Sequence, residues 1–171
     1  MTDERLEFQR VMTLPAADIF DVLCDPDGHV AIDGSGMLMS ADGAPVTATG
    51  DTFVVHMDRE ALGDLPMGAY DVEVTIATFE RDRDISWTIV GTVRPPIGHR
   101  YGYRLAPHSF EDGTEGTLVT SYYDWSDIHP DWREHDIFPV VSGSSLRATL
   151  GILERTVRRG YPRPLRVSDT V

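Results

Sequence analysis

The segment SGSSLRATLGILERTVRRG, Ser142 to Gly160, is the one large amphipathic helix the chain offers, and this scarcity constrains the fold more than any motif does. Leu146, Leu150, Leu153 and Val157 recur at spacings of four, three and four residues and form one apolar stripe, with Arg147, Glu154, Arg155 and Arg158 falling elsewhere. Arg158 and Arg159 complement the negative end of such a helix. Gly160 is a suitable cap ahead of Pro162 and Pro164.

What that helix must cover is mostly strand. A first strand is expected from Glu4 to Met12. LPAADIFDVL then reads as a helix with Pro15 in its first turn, and a short helical turn is expected from Pro26 to Ile32. DGSG, Asp33 to Gly36, follows as a turn. Six runs rich in β-branched and aromatic residues come next: GMLMS, TFVVHM, YDVEVTIATFE, ISWTIVG, HRYGYRLA and GTLVTSYYDW. Val72, Val74 and Ile76 alternate with Asp71, Glu73 and Thr75, so such strands are wet on one side. Short connections, RDRD above all, require antiparallel hairpins. The fold class expected is α+β: a curved seven-stranded antiparallel sheet wrapped around a long C-terminal helix, with two short helices between strands 1 and 2.

This order of elements resembles the START-like (SRPBCC) superfamily, the helix-grip fold of lipid-transfer domains, pollen allergens and polyketide cyclase/dehydratases. LPAADIFDVLCDPDGH is similar to the family's opening helix with its DP turn and nearby His29. RDRDISWTIVG resembles its charged hairpin and tryptophan strand, TLVTSYYDWSDI its last strand, and FPVVSGSSLRATLGILERTV its helix. HVAIDGSG departs from the commoner version, which has a tryptophan near Ala31 and Ile32. The resemblance covers residues 1–160 as a single domain, with 161–171 expected as a loosely held tail. It implies a cavity between sheet and helix that usually holds something apolar, because one helix ~10 Å wide cannot fill the space under a strongly curved sheet.

Strand parity then names the inward residues. Phe53, Val55, Val74, Trp87, Tyr101, Tyr103, Ser121, Tyr123 and Trp125 are expected on the concave face, with Ser145, Leu146 and Thr149 facing them from the helix. The polar tips among them would give hydrogen bonds inside an otherwise apolar site. The same aromatics could equally fill core.

The densest chemistry lies in YYDWSDIHPDWREHDIFP, Tyr122 to Pro139. As a metal site it offers His129, Asp131, His135 and Asp136. His129 and His135 are six apart, which puts them on different faces of a helix, and Pro130 interrupts the stretch, so no metal is expected. A solvated connection is one alternative and a lid is the other, with Trp132, Ile137 and Phe138 as apolar anchors at the cavity mouth. His135, flanked by Glu134 and Asp136, is the one general-acid candidate if it reaches the cavity. DGSG lacks the preceding strand and long following helix of a phosphate loop, and SGSS lacks nucleophile-elbow spacing; no cofactor is expected. Cys24 reads as an inert buried thiol, His29 as a surface residue, and His56, His99 and His108 as isolated.

Charge and cysteine content exclude other classes. With 15 Lys and Arg against 28 Asp and Glu the net charge is −13, so nucleic acid is not an expected partner. No apolar run is long enough to span a bilayer, the first residues are charged where a secretory signal needs an apolar core, and a single cysteine suits a reducing cytoplasm. Three functions stay open. The leading one is binding of a small hydrophobic molecule as carrier, sensor or sequestering protein. A polyketide cyclase/dehydratase-type enzyme using Tyr101, Tyr103, Tyr123 or His135 is the second. A chaperone-activator-like interaction module, with a filled core and an exposed apolar patch, is the third. Homodimerisation is compatible with each.

Overall fold

A computed structural model describes residues 3–63 and 65–163. The elements run β1 (Arg5–Met12), α1 (Ala16–Cys24), α2 (Pro26–Ile32), β2 (Leu38–Asp42), β3 (Thr52–Asp58), β4 (Ala69–Glu80), β5 (Asp84–Val90), β6 (Arg100–Ser109), β7 (Glu115–Asp124), α3 (Pro130–Arg133) and α4 (Gly143–Arg159). The strands form one antiparallel sheet in the order β1-β7-β6-β5-β4-β3-β2. Chain order is kept from β2 to β7 because each connection is a hairpin, and only β1 crosses to pair with β7.

Curvature comes from local irregularity. β4 carries a bulge between Ile76 and Thr78, so Ile76 pairs with Trp87 while Thr78 pairs with Ser86. The extra residue bends the strand and resets its alternation. Phe79 therefore turns toward the core, where its ring meets Phe20 of α1 edge-on at 5.4 Å. A second irregularity, between Leu38 and Ser40, bends β2. The sheet curls around α4, whose Leu146, Leu150 and Leu153 are buried against it.

Sequence-local chemistry fixes the helix ends. The Ser142 hydroxyl accepts from the Ser145 amide at 3.1 Å and starts α4, and Gly160 ends it at φ 76°, a conformation glycine adopts without strain. The Asp25 carboxylate caps α2 through the Asp27 amide. Asp25 also accepts from the Tyr161 hydroxyl at 2.6 Å and from Arg163 at 3.1 Å, which pins the chain leaving α4 back onto the first helices. The remainder of the segment expected as a loose tail, 164–171, lies outside the described residues.

Two boundary expectations need correction. β2 starts at Leu38, two residues later than expected, because the Asp33 carboxylate accepts from the Ser35 amide, the Ser35 hydroxyl and the Leu38 amide and holds 33–37 as a compact loop. Pro130 does not interrupt its segment. It opens α3, since proline at a first helical position gives up an amide that has no intrahelical partner there, and His129 caps the turn through the Asp131 amide. No helix among the described residues is long and apolar enough to cross a membrane.

Candidate functional site

A cavity of about 390 Å³ lies between the concave sheet and α4. Its position follows from where the helix runs. α4 packs over β1 and β7, at one edge of the sheet, and leaves the faces of β3 to β6 uncovered beneath it. Side chains from the segments 59–67, 91–97 and 132–141 close the remaining sides.

Of the residues expected at the site, Val55, Val74, Trp87, Tyr101 and Tyr103 line the cavity from the sheet, Ser145, Leu146 and Thr149 from α4, and Trp132 from the α3 segment. Phe53, Ser121, Tyr123, Trp125 and Phe138 do not. Phe53 packs against the His29 ring at 5.0 Å. Ser121 and Tyr123 point inward by parity, but on β7, beneath α4, where both are fully buried. Trp125 lies past the end of β7 and stacks on Tyr123 at 5.3 Å, and the Phe138 ring meets the edge of His99 at 6.3 Å. These three rings stand behind the lining and support it. His135 is exposed and outside the lining, with its ring 5.3 Å from Trp132, so a cavity substrate is beyond its reach.

Two histidines are placed differently from expectation. His29 is not at the surface: its ring inserts between Phe53 and Trp87, its Nε2–H donates to the Leu23 carbonyl at 2.8 Å, and it lines the cavity. His99 is not isolated. It is 3% exposed, lines the cavity, and its Nδ1 lies 2.8 Å from the Tyr123 hydroxyl. Burial lowers both rings to about 4, which makes them neutral imidazoles at neutral pH. Burial pushes Tyr101, Tyr103 and Tyr123 well above the ordinary phenol value. His99 had a signal in the sequence: in HRYGY it stands two residues before Tyr101 and shares the parity of Tyr101 and Tyr103. His29 and the lining residues of loops 59–67 and 91–97 have none, since no periodicity reaches them.

The remaining candidates are settled by geometry. His56 bridges Asp42 and Asp71 on the outer face at 2.7 and 2.6 Å. Cys24 is buried, and its thiol is pushed up to about 11 by burial, which keeps it protonated and unreactive. Among the described residues no three His, Cys, Asp or Glu side chains are grouped to hold a metal ion.

No protein-family model and no curated protein matches the chain. Solved structures do match. Ms6760 from Mycobacterium smegmatis is 14% identical, with a TM-score of 0.62 over 92% of this chain and 93% of that one. Norcoclaurine synthase from Thalictrum flavum, in complex with dopamine and hydroxybenzaldehyde, is 12% identical, with a TM-score of 0.58 over 93% and 88%. The Aha1 dimer from Colwellia psychrerythraea is 14% identical, with a TM-score of 0.56 over 92% and 98%. Such identities speak to the fold alone, and the fold these chains share, a curved antiparallel sheet around a long C-terminal helix, is the helix-grip fold.

Proposed function

We propose that the protein binds a small, largely apolar molecule in the cavity between sheet and α4, as a carrier, sensor or sequestering protein. The observation that carries this reading is the cavity itself: about 390 Å³, with a mostly apolar wall of residues such as Val55, Val72, Val74, Ile89 and Leu146, into which Asp33, Arg59, His29, His99 and several hydroxyl-bearing side chains are set. Its volume falls within the ~300–1,000 Å³ common for small-molecule sites. An interaction module with a filled core would have no such space.

Catalysis is the second reading, favoured by one feature, the closeness of His99, Tyr101 and Tyr123, whose rings lie 4.8 to 5.5 Å apart. Acid/base catalysis works best with groups that titrate near the operating pH. Here burial holds His99 down at about 4 and pushes Tyr101 up, leaving hydrogen-bonding groups in place of proton shuttles. Binding therefore stands first.

Native mass spectrometry of protein purified under mild conditions, together with N-phenyl-1-naphthylamine titration, tests the proposal. Ile89 lines the cavity and is only half-buried, so Ile89→Trp grows into the space. Saturable uptake by the wild type and its loss in a folded Ile89→Trp variant are expected. Neither a co-purifying mass nor saturable uptake in the wild type would overturn it.

A further inference from the structure

Arg59 is the only arginine or lysine among the described residues that line the cavity, and it is 7% exposed. A guanidinium is expensive to bury, and one that borders a cavity is a ready counterpart for an anion inside it. Its backbone is fixed on both sides: the amide donates to the Gly68 carbonyl at 2.9 Å, and the carbonyl accepts from the Leu62 and Gly63 amides at 3.2 Å. Nη1 reaches the sulfur of Met37, another lining residue, at 3.4 Å. That sulfur is a weak acceptor and not the only contact of the side chain. With five donors in a planar fork, a guanidinium holds several acceptors at once.

Two phenols share this wall. Tyr101 lines it from β6, and Tyr70, on β4, follows the parity of Val72 and Val74 into the cavity. Neither hydroxyl has a hydrogen-bond partner among the described residues. Shielded polar atoms without a partner occur at His99 Nε2 and Ser86 Oγ and not at these two hydroxyls, which therefore keep accessible surface. Burial pushes the Tyr101 hydroxyl well above the ordinary phenol value although the residue is only half-buried, so the surface it keeps is the cavity's. The Arg59 charge opposes that shift and Tyr70 adds to it, which sets the three groups within electrostatic reach of one another. Asp33, the carboxylate among the described lining residues, is taken up by the Ser35 and Leu38 amides and the Ser35 hydroxyl, and its charge is felt at Tyr103. The wall is thus polarised, positive and rich in donors toward Tyr101 and negative toward Tyr103.

We propose, building on the cavity-binding reading, that the ligand is an amphipathic monocarboxylate, its acid group held by the Arg59 guanidinium beside the Tyr70 and Tyr101 hydroxyls and its apolar body lying along Val72, Val74 and Ile89. A carboxylate matches the guanidinium fork, accepts from both phenols as well, and joins the contacts Arg59 already makes. A single charge is answered by a single charge, and the rest of the wall meets hydrocarbon. The net charge of −13 repels anions at long range, but salt screens it over ~8 Å at physiological ionic strength, whereas Arg59 acts in contact.

Two probes of nearly equal shape isolate the charge: 2-naphthoate and the neutral 2-acetylnaphthalene. Calorimetric titration of the wild type at pH 7.5 is expected to show naphthoate binding about tenfold more tightly than the ketone, the size of a charge-assisted contact. In a folded Arg59→Gln variant the preference is expected to shrink to about twofold or less. Tyr70→Phe and Tyr101→Phe leave the guanidinium in place and are each expected to weaken naphthoate about threefold, the worth of one hydroxyl donor. Arginine ¹⁵Nε spectra give a readout that a merely structural role would not move: the signal that Arg59→Lys removes shifts with naphthoate and stays put with the ketone. Should Arg59→Gln not fold, the tyrosine variants and these spectra decide. Naphthoate binding no tighter than the ketone, an undiminished preference in folded Arg59→Gln, full naphthoate affinity in both tyrosine variants, or an Arg59 signal indifferent to naphthoate would each overturn the inference and leave the cavity reading intact. Uptake of N-phenyl-1-naphthylamine with neither probe binding would overturn this inference alone; no uptake of any of the three would overturn the cavity reading with it.

Discussion

Gly34 donates its amide to the Thr149 hydroxyl at 3.0 Å, and that hydroxyl donates in turn to the Ser145 carbonyl at 2.9 Å. The loop after α2 is thereby tied to the helix that roofs the cavity. The approach is so close that a Cβ on Gly34 would lie 2.7 Å from Thr149 Oγ1 and 2.8 Å from the Ser145 oxygen. Gly34→Ala is therefore expected to push the loop off α4 and lower stability by ~1–3 kcal/mol. Thr149→Val, which keeps the shape but strands the amide, is expected to cost ~1–3 kcal/mol. Urea unfolding of both variants measures these losses, and wild-type midpoints in either would show that the tie contributes nothing.

The Trp132 indole donates to the Pro95 carbonyl at 2.8 Å, joining the α3 segment to the 91–97 loop where both border the cavity. The His129 amide bonds Ile97 in the same way at 2.9 Å, and Ile137, 43% exposed, stands at the rim. A latch of this kind controls exit more than folding. Trp132→Ala is expected to speed dissociation of N-phenyl-1-naphthylamine by about tenfold, and Trp132→Phe by less, since the ring still covers the mouth. Stopped-flow displacement reads both rates; unchanged rates would make the segment a plain connection.

These two ties also show where the sequence was readable. Period-two alternation named Val55, Val74, Trp87, Tyr101 and Tyr103, because a strand wet on one side must put its apolar residues on the other. Parity says which way a residue faces and not what covers it, so it could not tell Tyr103, over the cavity, from Ser121 and Tyr123, roofed by α4 two strands from the centre of the sheet. The rule also fails across the β4 bulge, where Phe79 changes face. Gly34 had no pattern to announce it: its need to be glycine arises from a helix 115 residues further on. Long-range approaches of this kind, and the loops that close the mouth, are written in tertiary contacts that spacing does not record.

On the outer face His56 joins β3 to both neighbours, donating from Nδ1 to Asp71 and from Nε2 to Asp42. Both bonds require the imidazolium, and the hydrogen bonds to Asp42 and Asp71 raise its proton affinity. Its contribution is complete below the ordinary histidine value and is lost as pH rises through the raised one. His56→Gln is thus expected to lower the urea midpoint at pH 5.5 more than at pH 9, by a small amount because the group is exposed. Equal losses at the two pH values would remove the charge from the explanation.

His29 and His99 act in the opposite sense. Each falls from 6.5 to about 4 on folding, chiefly through burial, so the unfolded chain takes up protons that the folded chain refuses. Stability is whole above pH 6.5, falls between there and about pH 4, and levels off below. Each ring carries at most ~3 kcal/mol of this loss, a large share of the ~5–15 kcal/mol that holds a typical domain together. The wild type is expected to lose stability steeply across that window in spite of the opposing His56 pair. His99→Phe removes one titrating ring and should flatten the slope; His29→Phe does the same at the other end of the cavity, leaving the Leu23 carbonyl without its donor. Urea midpoints from pH 4 to 7.5 for the three proteins decide the matter. Slopes that do not differ would mean that neither ring is held neutral by burial.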